Sequence, residues 1–344
     1  MLEIDGAFGE GGGQVLRSSV ALAMITGQPF RIFNIRGGRS KPGLMRQHLA
    51  GLNAAATICQ AKTRGLELRS REVTFQPGSV TAGDYTFKIG SAGSVCLVLQ
   101  TILPALLTAK DVSRVAIEGG THVPFAPTYE FLDQVYFPVL ESMGARIDRK
   151  LVRPGFMPAG GGRIEVEIHP VLELDPLELV DRGTLSQIEI TAAVSGIPVI
   201  VAEREIEAVR EVLDQQVSPE MIESQVVQLP RQFGPGNAVH TKVESASGLA
   251  MFTGLGQRGV RAETVGKRLG KVVRRYLSSS APVGPHLADQ LLLPLAMAGK
   301  GKFVTRKPSE HTATNMKVIE TFLPLQFRTR ELEDEDVQIE VVGL

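Results

Sequence analysis

The stretch Ser309-Glu310-His311-Thr312-Ala313-Thr314-Asn315 sets a histidine among small hydroxyl and amide side chains. It lies between a predicted strand (301–305) and a predicted helix (316–323). A neutral imidazole is a nucleophile near neutral pH, and a helix start favours an incoming anion. That pairing suits attack on phosphorus. It equally suits a plain helix start, with Thr314 or Asn315 as the cap and His311 facing water.

Two further stretches carry polar chemistry. In Asp5-Gly6-Ala7-Phe8-Gly9-Glu10-Gly11-Gly12-Gly13-Gln14 the glycines let the backbone approach a ligand, and Glu10 places a carboxylate among them. An acid in a loop that approaches phosphates makes sense with a divalent metal between the two. No Lys-Ser/Thr follows, so this is not a Walker loop, and the spacing does not fit a dinucleotide fingerprint. A tight turn with a solvent-facing Glu10 is the plainer alternative. The second stretch supplies a basic set: Arg17, Arg36, Arg39, Lys41, Arg46 and Gln47. Guanidinium groups bind phosphate bidentately, although scattered surface charge reads the same way.

These residues need elements to position them. A helix is predicted at 15–25, a strand at 30–35, a helix at 44–61, and a strand pair at 66–68 and 73–75. The order recurs. Ile89-Gly90-Ser91-Ala92-Gly93-Ser94 opens a helix at 95–107, followed by a strand at 114–118, a helix at 129–143, and strands at 145–150 and 163–168. It recurs again from Pro282-Val283-Gly284-Pro285, with a helix at 286–297, the strand and helix around His311, and a strand at 337–342. Three copies imply three equivalent loops, 36–43, 119–127 and 305–315. Packed about a common axis, they bring Glu10, Arg39, Gln100, Pro127, Gln290 and His311 together.

The stretch 185–279 does not fit the repeat. Strands at 188–194, 198–202, 238–244 and 249–253 and helices at 205–216 and 262–277 predict a small inserted α/β domain. On the last helix, Val265, Leu269, Val272 and Tyr276 are expected to face inward. Lys267, Arg268, Lys271, Arg274 and Arg275 lie opposite, as a solvated face or an RNA contact.

Composition narrows the classes. The chain has 344 residues, 43% of them hydrophobic, enough for more than one core. Its 37 basic and 37 acidic residues cancel, which excludes a broadly cationic nucleic-acid coat but not a local basic site. There is no tryptophan, so an extended base-stacking platform is not expected. Cys59 and Cys96 sit in apolar runs and read as core residues of a reducing compartment. With no basic leader and no apolar run long enough to span a bilayer, a cytoplasmic protein is expected. Oligomeric state stays open.

Taken together, Asp5 to Arg17, Arg36-Gly-Gly-Arg39-Ser-Lys-Pro-Gly-Leu-Met-Arg-Gln-His48, the helix 93–104, His286-Leu-Ala-Asp-Gln290 and the His311 loop with Thr314-Asn315 resemble the RNA 3′-terminal phosphate cyclase family. The likeness runs over nearly the whole chain, and several motifs in one order make it specific. It implies an α/β (α+β) fold of three βαβαββ-type units, about 1–80, 84–178 and 280–344. The main catalytic domain is then 1–184 with 280–344, and the inserted domain is 185–279.

The implied reaction converts an RNA 3′-terminal phosphate to a 2′,3′-cyclic phosphate with ATP and a divalent metal, Mg2+ or Mn2+. His311 becomes adenylated, AMP passes to the RNA phosphate, and the 2′-hydroxyl closes the ring. The resemblance gives Glu10 to the metal. It gives Gln100, Pro127, Phe131, His286, Leu287, Ala288, Asp289 and Gln290 to the nucleotide. Arg17, Arg36, Arg39 and Gln47 fall to the RNA phosphate. His286 stands where relatives often have tyrosine. Glu310 beside His311 would raise the imidazole pKa if it faced the ring. The rivals are a non-catalytic scaffold of the same fold in ribosome biogenesis, whose members lack the histidine, and a small-molecule transferase. A lysine-adenylating ligase is excluded, since Lys-x-Asp-Gly does not occur.

Overall fold

The structure, a computed structural model, describes residues 1–214 and 216–343. The first unit is β1 (Leu2–Asp5), α1 (Gly13–Thr26), β2 (Phe30–Phe33), α2 (Arg46–Cys59), β3 (Lys62–Arg64) and β4 (Val73–Gln76). Its sheet has the order β1-β2-β4-β3, with β1 parallel to β2 and β4 antiparallel to both its neighbours. A parallel pair needs a crossover, and α1 is that crossover.

The second unit is β5 (Asp84–Lys88), α3 (Val95–Leu107), β6 (Ser113–Gly119), a three-part helix, β7 (Arg146–Arg153) and β8 (Gly162–His169). The helix joins α4 (Tyr129–Phe131) through a π turn (Leu132–Tyr136) to α5 (Phe137–Ser142). The order β5-β6-β8-β7 repeats the first sheet position for position.

The third unit begins with β9 (Leu177–Leu179) and is then interrupted. The insert holds β10 (Leu185–Ser195), α6 (Ile200–Leu213), β11 (Ile222–Leu229), β12 (Gly236–Ser245), β13 (Gly248–Leu255) and α7 (Ala262–Leu277). The unit resumes with α8 (Pro285–Ala298), β14 (Gly301–Arg306), α9 (Glu310–Phe322), β15 (Leu325–Glu331) and β16 (Asp336–Gly343). Its sheet order is β9-β14-β16-β15, with β9 parallel to β14. Three sheets of one topology are therefore present, and the insert forms a fourth, β11-β10-β12-β13, with its own apolar cluster around Ile190, Val209, Val239 and Leu269.

Periodicity explains the layering. Ile164, Val166 and Ile168 on β8 face the core, with Glu165 and Glu167 between them. Helix α3 is apolar all round and buried along nearly its whole length, as a central helix must be. Helix α1 packs against α2, α3 and α9, which draws the first, second and third units together. Among the described residues no helix is long and apolar enough to cross a membrane. Cys59 and Cys96 are buried and free.

Several expectations are corrected. The predicted strand 66–68 is loop, and β4 pairs instead with β3. The predicted strand 198–202 is mostly the first turn of α6, where Ala202, Ile206, Val209 and Leu213 keep a helical period. That helix stops at Leu213 rather than 216, and Gln215 lies outside the described residues. On α7 it is Val273 that is buried, while Val272 is exposed, because a 3.6-residue period carries the stripe from Leu269 to Val273. The strand β9 falls within the expected second unit but pairs with β14, so the third unit begins before the insert. The strands β1, β5, β11 and β15 are short or polar at alternate positions and escape a hydrophobic reading.

Candidate functional site

Helix α9 begins at Glu310, six residues before its predicted start, so His311 lies in its first turn rather than on a loop. Ser309 is the cap, and its Oγ accepts from the Thr312 N–H at 3.1 Å. The expected caps, Thr314 and Asn315, are instead buried and hold other elements. Thr314 Oγ1 accepts from the Glu10 N–H at 3.2 Å. Asn315 Oδ1 accepts from Ser18 Oγ on α1, and its Nδ2 donates to the Asp289 carbonyl on α8 at 3.0 Å. The Asp289 carboxylate also accepts from Ser309 Oγ at 3.1 Å and from Thr312 Oγ1. The first turn of α9 is thereby pinned to α8 and to the glycine loop ahead of α1.

That glycine loop has strict steric demands. Gly9 has φ +60°, and a Cβ there would stand 2.0 Å from Thr314 Oγ1. A side chain is thus excluded by both conformation and contact. Gly9→Ala is expected to destabilise the fold by about 1–3 kcal/mol, read from the midpoint of urea unfolding. A midpoint equal to that of the parent would show that the loop does not pack on α9 in this way. Gly13 lies equally close to the next layer, where a Cβ would stand 2.6 Å from His48 Nε2 and 2.8 Å from an Arg17 guanidinium nitrogen.

The centre of the cluster is the Glu10 carboxylate, only 5% exposed. Oε1 lies 3.2 Å from His311 Nδ1, and Oε2 accepts from the Arg39 guanidinium. Burial pushes the carboxyl pKa up, but His311 and Arg39 together outweigh it and hold Glu10 below its ordinary range. The hydrogen bond to Glu10 in turn raises His311, against burial, with the charges of Glu10 and Asp289 adding to it. The His311 side chain is 48% exposed, and its far nitrogen, Nε2, is the one that Glu10 does not engage. Glu310 is exposed and is not the acid facing the ring.

Cations surround this pair. Burial lowers Arg17 to about 10, opposed by Glu10 and Asp289, so it stays charged at neutral pH. Burial and Arg39 lower Arg36, whose guanidinium also holds its own loop through the Lys41 and Gly43 carbonyls at 2.6 and 3.1 Å. Gln47 Oε1 accepts from the Ser94 N–H at 2.7 Å, which ties the start of α2 to the second glycine loop. His48, which closes the Arg36–His48 motif, has no role assigned from sequence. Burial, then Arg17 and Arg36, push it down to about 3. Its Nδ1 accepts from the Met45 N–H at 3.1 Å, so Nε2 carries the proton and is directed at Gly13. Its position three residues into a helix that begins beside a run of arginines was the available signal.

Contacts therefore link Glu10, Arg39 and His311 directly, while Arg17, Arg36 and Asp289 act on them through charge. Arg17, Gln47 and His48 line one small cavity beside α3. Phe131, His286 and Leu287 line another, whose remaining wall includes Met251 and Phe252 of the insert. No reading of the repeat alone points to those two. Ala288 is buried in α8, and Pro127 precedes the Thr128 cap of α4. Gln100 Nε2 and Gln290 Oε1 are buried without a hydrogen-bond partner. Neither of these atoms is hydrogen-bonded to the Glu10–His311 pair. The Glu10–Thr314 bond joins the glycine loop ahead of α1 to the start of α9, and the Gln47–Ser94 bond joins the start of α2 to that of α3; helix starts beside three arginines favour a polyanion.

Fold and site together define a triplicated α/β protein with a histidine–carboxylate centre at converging helix starts. The chain belongs to the RNA 3′-terminal phosphate cyclase family, whose sequence model matches residues 8–329.

Proposed function

We propose that this protein converts an RNA 3′-terminal phosphate to a 2′,3′-cyclic phosphate, using ATP and passing through an adenylated His311. The observation that carries this reading is the Glu10–His311 contact. With Nδ1–H directed at Glu10, the lone pair of this half-exposed imidazole is on Nε2. Nε2 attacks the α-phosphorus of ATP, and the bond to pyrophosphate breaks. The adenylated ring carries positive charge, which Glu10 offsets through Nδ1–H. AMP then moves to an oxygen of the RNA 3′-phosphate, and the N–P bond breaks. The 2′-hydroxyl oxygen then attacks the phosphorus of that RNA 3′-phosphate and loses its proton, and the bond from this phosphorus to AMP breaks, releasing AMP.

The other residues divide the work. Arg17, Arg36 and Arg39 bind phosphate, and Gln47 holds the loop beside them. We assign the base to the cavity of Phe131, His286 and Leu287, with Pro127 and Ala288 in its frame. The unpartnered Gln100 and Gln290 amides are free to bond a polar edge. Asp289 keeps α9 in place. Glu10 is a hard oxygen donor beside the incoming triphosphate, and one carboxylate with phosphate oxygens is a ligand set that suits Mg2+ or Mn2+. Such an ion would neutralise and orient the triphosphate. Glu10 would hold it through the carboxylate that Arg39 engages here, and Arg39 beside it is placed to bind substrate phosphate. We also assign the catalytic domain to 1–184 with 280–344 and the inserted domain to 185–279.

The test uses two RNAs that differ only at the 3′ end. RNA bearing a 3′-phosphate is expected to become resistant to phosphatase when ATP is present, with AMP released. RNA ending in a 3′-hydroxyl should yield no product, since it offers no group to receive AMP. Equal conversion of both would overturn the assignment.

A further inference from the structure

We propose that His122, Glu130 and His240 form a binding site for one transition-metal dication of the zinc class, clamping the insert to the catalytic body. The three come from separate parts of the fold. His122 is in the loop after β6, Glu130 is on α4, and His240 is on β12 of the insert. Both histidines are buried, at 3% and 4% exposure. His122 Nε2 lies 2.8 Å from Glu130 Oε2, and His240 Nε2 lies 3.8 Å from the same oxygen. One ligand atom from each residue falls within 4.8 Å of the others.

The hydrogen bonding around the cluster fixes what it lacks. His122 Nδ1 is 2.8 Å from Thr121 Oγ1, and His240 Nδ1 is 2.9 Å from Thr253 Oγ1. Thr121 Oγ1 already accepts from the Gly155 N–H at 2.8 Å and points back to the Gly155 carbonyl. It has room for one more donor, the His122 Nδ1–H. In the tautomer that also puts the His240 proton on Nδ1, beside Thr253 Oγ1, the two Nε2 lone pairs face a carboxylate. All three of those atoms, His122 Nε2, Glu130 Oε2 and His240 Nε2, are buried without a geometrically sound hydrogen bond. Three acceptors converging on one point are an arrangement that a bound cation satisfies.

The donor set selects the cation. Two imidazoles and one carboxylate suit zinc and its neighbours, not Mg2+ or Ca2+. Ligands about 2.0–2.2 Å from a tetrahedral centre stand about 3.3 Å apart, between the two separations found here. The threonine hydroxyls are the outer partners that fix ring orientation in such sites. Phe156, stacked on His122 at 4.7 Å between centroids, closes one side. The adjoining residue, Phe131, lines the cavity assigned to the base, so the clamp would also hold that wall. The second such group, Asp148, Glu167 and His169, has an exposed Asp148 and two half-buried partners, without that enclosure.

The experiment uses the full chain, stripped with chelator and titrated with Zn2+ and, separately, Co2+. One equivalent should bind, and Co2+ should give the visible absorption of a tetrahedral site. Millimolar Mg2+ should not displace it. His240→Ala and Glu130→Gln should each weaken binding at least about 100-fold, and Thr253→Val about 10-fold. His311→Ala and His169→Ala should keep the full equivalent, which separates this site from the catalytic histidine and from the second group. Wild-type protein that binds neither ion, or binding undiminished in both His240→Ala and Glu130→Gln, would overturn the proposal. Stoichiometry and spectrum on the unaltered chain decide it even where a variant fails to fold.

Discussion

His311→Ala should remove covalent labelling by ATP carrying a radioactive α-phosphate. Loss of the nucleophile is expected to cost at least about 10⁴-fold in adenylation rate, because no nearby group can take over the bond to phosphorus. The other candidates in reach are poorly placed. His48 is neutral, but its Nδ1 is committed to the Met45 N–H and its Nε2 holds the proton. His286 lies on α8 beside the cavity lined by Phe131 and Leu287 rather than against Glu10. Fold stability should fall only modestly, by about 0.5–1 kcal/mol, since the His311 side chain is half exposed but the buried Glu10 carboxylate loses one of its two partners. In the parent protein the label should be lost in acid and survive alkali, as an N–P bond requires. Normal labelling of the alanine variant would mean that another residue carries AMP and that the Glu10–His311 pair is only a surface ion pair.

The triplicate was legible because each unit places apolar runs of the right length in the same order, from the helix 95–107 to the strand 163–168. What was not legible was pairing. Strand β9 has three residues and sits 124 positions before its partner, with Leu177 opposite Gly301 and the insert between them. No local pattern encodes a partner at that distance. The His311 helix was misread for a related reason. Thr312, Thr314 and Asn315 are weak helix formers and look like caps in isolation. Their burial against α1 and α8 overrides that preference, and a polar surface turn becomes the first turn of a helix. The residues of the site could be listed from motifs, but not the bond between Glu10 and His311. That bond depends on Gly9 lying against Thr314, across 305 positions of sequence. The Met251–Phe252 wall was invisible because it belongs to the insert, whose strands read as core and nothing more.

Glu10→Gln probes that bond without removing the nucleophile. The glutamine carbonyl can still accept from Nδ1–H, but the negative charge is gone. In the parent, His311 is raised above its ordinary 6.5, so at lower pH Nε2 carries a proton and has no lone pair to give. The rate of adenylation should therefore climb as pH rises through that raised value. In the variant the climb should begin at lower pH. The plateau should fall by about 10²–10³-fold, because the adenylated ring loses its counter-charge and Arg39 loses its anchor. Parent and variant rates should then lie closest at acid pH and separate toward neutrality. Stability should follow the same pair with opposite limbs. The raised His311 pKa gives stability that is full below 6.5 and lost as pH rises through the raised value. The depressed Glu10 pKa gives stability that is present above 4.5 and lost as pH falls through the depressed value. The excess stability of the parent over the variant should be widest between about 4.5 and 6.5. A rate limb that stays in place, or moves to higher pH, would show that Glu10 does not govern the imidazole and would leave it a role toward the metal alone.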